Sequence, residues 1–333
     1  MKTYAQRLFA LMCLTALPAC AQIKYPAKMT FKVTDDIGAP VQGIEVRTST
    51  FAKWERGEGF GRNIDDLDSA TTDQNGVADL ETPSLRGSFA YAPYPQGKYY
   101  KVPSLRYQFK EVVNGRWEFW NPQLEIVLPR ILNPIPLHAR KVGIGPNLEL
   151  PTTGPVGFDL IMSDWVAPHG KGKKSDLIFT HTPGLRAADV NSSFDSVFTL
   201  TFANLGDGIQ SRPANQTNRL LELPREAPAE GYEAKLERRI SWAGKGTPVQ
   251  LGVREDQNYF LRVRSVLDPN GNVISALYGK IYGDIHLMAP PASHGMARFT
   301  YYLNPTSLDR NLEFDPKRNL LPDTVSGTNI TEP

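Results

Sequence analysis

Cysteine is nearly missing from this chain. Of 333 residues only Cys13 and Cys20 are cysteine, and both stand among the first twenty. The rest can form no disulfide and no thiolate metal site, so packing must hold the fold together. After residue 21 no apolar run is long enough to cross a bilayer as a helix. An excess of one charge sign is also lacking. Lys and Arg number 37 against 35 Asp and Glu, a net charge of +2 with both signs interspersed, which gives no footprint for nucleic acid. There is no G-x-S-x-G elbow for an acyl-transfer serine and no H-E-x-x-H pair for zinc. No cofactor fingerprint stands in their place, and the question of catalysis stays open, with a non-enzyme the favoured reading.

What is present begins at the N-terminus. Lys2 and Arg7 precede Leu8–Leu17, an uncharged apolar run of about ten residues, the length of a signal-peptide core. Pro18 then breaks the run. Residues 1–21 are therefore expected to be a signal peptide, and the protein to be exported to the periplasm, the cell surface or the medium. Two processing routes stay open. Ala19-Cys20-Ala21 fits cleavage before Gln22. Leu17-Pro18-Ala19-Cys20 resembles a bacterial lipobox, which would place a lipid on Cys20, although Pro18 departs from that pattern. Such a lipid would be the only route to a membrane.

The remainder reads as all-β, two β-sandwich-like domains joined by a Pro-rich segment. With 27 Gly and 27 Pro, turns are plentiful and long helices disfavoured. The first domain is expected over 25–130. Met29, Phe31 and Val33 alternate as in a half-buried strand, and Leu124–Leu128 closes the unit. VTDDIGAPVQGIEV followed by TTDQNGVADL resembles the carboxypeptidase regulatory-like domain, a transthyretin-like relative of immunoglobulin sandwiches. The resemblance covers about half of this domain, is interrupted at Phe51–Asp68, and implies a fold but no catalytic residue. Residues 131–155, with prolines at 134, 136, 146, 151 and 155, are expected to be a semi-rigid linker packed along one domain. The second domain is expected over 156–316, with a hairpin at Leu267–Asn272 where Pro269-Asn270-Gly271 supplies the turn. Tyr232–Trp242 mixes helical and alternating spacing and reads as a strand in this context. Residues 317–333 are expected to form a flexible tail. The chain as a whole also resembles exported bacterial proteins that carry no assigned activity.

Candidate sites are sparse. In Leu277–Leu287, Leu277, Ile281, Ile285 and Leu287 face one way, while Tyr278, Lys280, Tyr282, Asp284 and His286 face the other. Tyrosines beside charges and an imidazole suit a sugar ring or a protein surface. An ordinary wet strand face explains the same pattern, as does a face covered by a neighbour. Asp164, His169, Asp176 and His181 cluster around the Trp165–Ser175 loop, which Asp164 and Asp176 flank, and are the weak metal candidates. Asp159, Asp164 and Asp284 are the carboxylates a glycan hydrolase would draw on. Asp73-x-Asn75-Gly76 and Asp268-x-Asn270-Gly271 imitate calcium loops but lack the distal carboxylate, and read as turns. Gly170–Ser175 superficially resembles a phosphate loop with the wrong glycine spacing, and reads as a solvated basic loop. N-x-[ST] occurs at Asn191, Asn215 and Asn329. The favoured function is a non-catalytic exported protein that binds a glycan or an envelope protein. A glycan hydrolase and a structural subunit of a surface assembly are the alternatives.

Overall fold

The computed structural model describes residues 23–55, 62–143, 149–182, 194–213, 223–242, 249–251, 257–288 and 295–331. The expected signal peptide, Cys20, Asn191, Asn215 and His294 lie outside them. Among the described residues the architecture is all-β, with one short 3-10 turn at Pro316–Arg318. No helix there is long and apolar enough to cross a membrane.

The first body holds Tyr25–Asp35 (β1), Glu45–Glu55 (β2), Arg62–Thr71 (β3), Val77–Ser84 (β4), Ser88–Tyr94 (β5), Leu105–Gln108 (β6), Glu111–Val113 (β7), Arg116–Glu118 (β8) and Gln123–Leu128 (β9). One sheet runs β4-β1-β9, the other β3-β2-β5-β6. Met29, Phe31 and Val33 alternate inward from β1, Leu124, Ile126 and Leu128 from β9, and Val46 and Phe89 close the core from the second sheet. β1 pairs antiparallel with β4 and parallel with β9. In the stretch where the resemblance is interrupted, Phe51–Glu55 and Arg62–Asp68 belong to a long β2–β3 ribbon paired from Glu45↔Thr71 to Glu55↔Arg62.

The second body adds His138–Val142 (β10), Val156–Asp159 (β11), Asp164–Trp165 (β12), Leu177–Thr182 (β13), Phe194–Thr201 (β14), Gly208–Pro213 (β15), Lys235–Trp242 (β16), Val249–Leu251 (β17), Gln257–Leu267 (β18), Val273–Met288 (β19) and Met296–Leu303 (β20). A five-stranded sheet runs β10-β20-β19-β18-β15, and a six-stranded sheet β12-β11-β13-β14-β16-β17. Their inner faces share one core in which Phe158, Phe179, Phe299 and Tyr301 interlock. The ambiguous Tyr232–Trp242 segment supplies β16, because its alternating residues fit against β14. The Leu267–Asn272 hairpin is present, closed by Asp268 N–H to the Asn272 carbonyl at 2.9 Å and by Asn272 N–H to Asp268 Oδ1 at 2.8 Å, with Gly271 at φ +86.

Two expectations change. The Pro-rich stretch is not simply a linker, because β10 lies within it and pairs with β20. Its prolines stop short of the strand, leaving the amides of His138–Val142 able to pair. The tail after Lys317 is packed rather than loose. Leu321 and Ile330 are buried, Asn319 brackets Ala139, and Lys141 N–H donates to the Gly327 carbonyl. This strap covers the edge of β10, which would otherwise offer unpaired backbone groups.

The two bodies meet at Asp36, just past β1. It accepts Arg130 Nε at 2.5 Å and Arg225 Nη2 at 2.8 Å. Burial pushes its carboxyl up, but the two guanidiniums outweigh this and hold it below the ordinary value. Nearby, buried Glu313 accepts Tyr100 Oη–H at 2.7 Å and the amides of Leu132 and Asn133 at 2.8 Å.

Candidate functional site

The stripe on β19 divides in two. Its inner residues Leu277, Ile281, Ile285 and Leu287 enter the main core as expected from their spacing. On the outer face Tyr278 and Lys280 are buried, not available to a ligand. The cause is nonlocal. After β20 the chain doubles back, with Asn304 N–H bonding the Tyr278 carbonyl and Leu308 N–H the Ala276 carbonyl. Leu312 then packs with Tyr278, Phe260 and Leu223, while Phe314 and Ile330 pack on Tyr302 and Ala139. Lys280 lies beneath this strap, its Nζ 4.7 Å from the centroid of the Tyr302 ring.

Beyond Tyr282 the strap ends and the strand bulges. Tyr282 pairs with Thr300 and the next pair is His286 with Arg298, so four steps on β19 match two on β20. Gly283 sits at φ +79, a conformation that favours glycine, and donates its N–H to Asn258 Oδ1 at 2.7 Å. The bulge turns Asp284 inward. Its Oδ1 accepts the Tyr259 hydroxyl at 2.5 Å, and Arg238 Nη2 donates to that hydroxyl at 2.5 Å while lying 3.7 Å from the carboxylate. Burial, with the adjacent carboxylate, raises the Tyr259 pKa, so the hydroxyl stays a donor. Asp284 is therefore held by its neighbours rather than presented as an acid or base.

The bulge opens a cleft of about 400 Å³, lined by Lys141, Tyr282, Asp284, His286, Arg298 and Thr300 among others. Sheet register explains the gathering. Lys141 stands across from Thr300, Thr300 across from Tyr282, and Arg298 across from His286. Lys141, His286 and Arg298 are exposed. The cleft thus offers two cations, an imidazole, a hydroxyl and a phenol ring, while the Asp284 charge is already opposed by Arg238. Such a set can hydrogen-bond hydroxyl groups and attract an anionic substituent. Lys141, Thr300 and Arg298 were missed in the sequence because they lie on two other strands.

A larger groove of about 560 Å³ crosses the outer face of the first body, floored by Ser49, Ser69, Ala90 and Ala92. Its guanidinium, Arg47, is engaged by Glu45 at 2.8 Å and by the Tyr94 ring at 4.0 Å. With its main polar groups already paired, it is the weaker candidate despite its size.

The other nominated residues do not converge. No group of three or more His, Cys, Asp or Glu able to hold a metal ion occurs among the described residues. His169 is exposed. His181 is buried and stacked on Phe198 at 4.4 Å, neither ring nitrogen has a hydrogen-bond partner, and burial lowers its pKa. Asp164 accepts the amides of Trp165 and Lys171. Asp176 and Asp159 both bind Arg264, at 2.7 and 2.9 Å. Asp159 also takes the amides of Ile161, Met162, Lys173 and Lys174. The loop around Gly172 thus does wrap an anion, but the anion is internal. A Cβ on Gly172 would meet the Asp164 carbonyl at 2.8 Å, so the close wrapping requires glycine. Asp73 and Asp268 each spend an oxygen on two amides of their own turns.

No family model and no curated protein matches the chain. The first body's resemblance to the regulatory-like domain therefore gains no family match, and what stands is its all-β architecture. Among solved structures, chlorocatechol 1,2-dioxygenase from Pseudomonas putida is 13% identical over 32% of this chain and 61% of its own length, with a TM-score of 0.22. The chain spans about three fifths of that enzyme. DUF3823 family proteins from Parabacteroides merdae and Bacteroides ovatus are each 8% identical, covering 87% and 86% of this chain and 99% of their own, with TM-scores of 0.18 and 0.19. Likenesses this loose carry no activity across.

Proposed function

We propose that this is an exported, non-catalytic binding protein that takes an acidic glycan in the cleft beyond the β19 bulge. The observation that supports this reading is the gathering of Lys141, Arg298, His286, Thr300 and Tyr282 in a cleft that the strap leaves open. A glycan needs several hydrogen-bond partners around a ring-sized space, and an aromatic ring face for its C–H groups. The two cations favour a carboxylate or other acid on the sugar. Export follows from residues 1–21, with Cys20 as a lipidated N-terminus or Gln22 as a free one. The hydrolase reading is the weaker one, because Asp159 and Asp164 are occupied by backbone amides and Asp284 by Tyr259.

The test is a survey of acidic and neutral glycans with the wild type and Tyr282→Ala. Retention of acidic glycans by the wild type, lost in the variant with its melting temperature unchanged, is the expected result. Equal retention by both proteins would remove the cleft from consideration.

A further inference from the structure

Large apolar side chains are exposed at both ends of the first body, Ile37 at 70% and Tyr94 at 46% at the far end, and the near end carries the larger group. β1 is 11 residues long, about 36 Å at roughly 3.3 Å per residue. At its far end Asp36 is docked on Arg130 and Arg225. At its near end large apolar side chains stand in the open. Ile23 is 64% exposed, Trp54 56%, Val113 39% and Phe119 64%.

Contacts fix these residues at one end. Tyr25 pairs with Ser84, and the Tyr25 ring meets Trp117 of β8 edge-on at 6.5 Å. Trp117 Nε1–H donates to the Ser84 carbonyl at 2.9 Å, and Thr50 Oγ1 lies 2.7 Å from Ser84 Oγ. β2 runs on past Thr50 to Trp54, and the β7–β8 turn carries Val113 past Trp117. Two rings have cations beside them. Lys110 Nζ is 5.2 Å from the Phe119 centroid, and the Arg116 guanidinium 5.0 Å from Trp120.

Exposed aromatics with neighbouring cations are what a lipid headgroup region accommodates, rings at the acyl boundary and cations at the phosphates. Three of the cations here already have carboxylate partners. Lys24 pairs with Asp66, Lys53 with Glu55 and Arg116 with Glu118. A surface of this kind needs no anionic lipid. Ile23 is also where the chain reaches this end, and Cys20 stands three positions earlier, within about 11 Å at full extension.

We infer that the N-terminal end of the first body is a membrane-contact surface on which Ile23, Trp54, Val113 and Phe119 enter the headgroup region of a phospholipid bilayer. The inference is independent of the glycan cleft, which lies on the other body.

The experiment uses the protein purified from expressing cells, with vesicles of phosphatidylcholine and phosphatidylethanolamine. Flotation measures partition, and brominated phosphatidylcholine quenches any tryptophan that touches lipid. The wild type is expected to float and to show quenching, and Trp54→Phe to lose part of the quenching. Trp54→Ser with Phe119→Ser is expected to lower partition about tenfold or more. Leu67→Ser, on the outer sheet face, is expected to change nothing. Both double-variant sites are exposed, so folding is checked by an unchanged melting temperature. Unaltered partition in the double variant would overturn the inference. So would flotation without quenching, which would leave contact to an acyl chain alone. A dimer that the double variant abolishes, without quenching, would assign the surface to a second copy instead.

Discussion

Arg264 holds Asp176 with two nitrogens, Nε at 2.7 Å and Nη2 at 2.8 Å, and reaches Asp159 with the same Nη2 at 2.9 Å. It does so from a bulge in β18, at φ +57. One guanidinium thereby serves two buried carboxylates and fastens the 160–175 loop to the opposite sheet.

Removing that cation strands both acids. Burial pushes the Asp159 carboxyl up, but the amides of Met162, Lys173 and Lys174 and the Arg264 charge hold it below the ordinary value. Arg264→Met is expected to cost about 3–5 kcal/mol in urea unfolding, the usual result of breaking a buried pair from one side. A cost below about 1 kcal/mol would mean that the loop is held by its amide bonds alone.

Lys280 gives the pH dependence. Burial lowers its pKa from 10.5 to about 7, with Glu313 only partly restoring it. Between those values the unfolded chain binds a proton that the folded one does not. This group therefore makes stability rise with pH from about 7 to 10.5, and its destabilising effect is complete below about 7. Lys280→Met is expected to flatten that rise and to stabilise the protein most at the acid end of the window. Unfolding midpoints of both proteins at pH 6.5 and 10 decide the matter. Parallel slopes would contradict it.

The strap is expected to be part of the fold. Phe314 is fully buried against Tyr302, whereas Leu320 in the same segment is 43% exposed. Phe314→Ala is expected to cost about 3–5 kcal/mol. Leu320→Ala should stay within about 0.5 kcal/mol. Increased binding of a hydrophobic dye by Phe314→Ala would report exposure of the outer sheet face.

What was legible in the sequence is what depends on neighbours in the chain. Asp268–Asn272 encodes its own turn, and Met29, Phe31 and Val33 encode a strand with one buried face. The alternation of Leu277, Ile281 and Ile285 also placed the inner face of β19 correctly. The outer face could not be read this way. Tyr278 and Lys280 are covered by residues some thirty positions later, and no local pattern announces such a cover. Asp284 leaves the stripe because Gly283 takes a positive φ, a change that period-two reading cannot register. β10 was hidden by the prolines around it, and with it Lys141. The cleft is thus half legible. Tyr282 and His286 belong to the stripe, while Lys141, Thr300 and Arg298 arrive by pairing across strands.

The central claim is that the ligand sits in this cleft and is recognised by its cations. The most direct measurement is calorimetric titration of an acidic glycan into the wild type, Arg298→Ala and Tyr94→Ala. Arg298→Ala is expected to weaken binding about tenfold or more, with Tyr94→Ala, in the larger groove of the first body, unchanged. Binding that survives Arg298→Ala but falls with Tyr94→Ala would contradict the account and move the site to the other body.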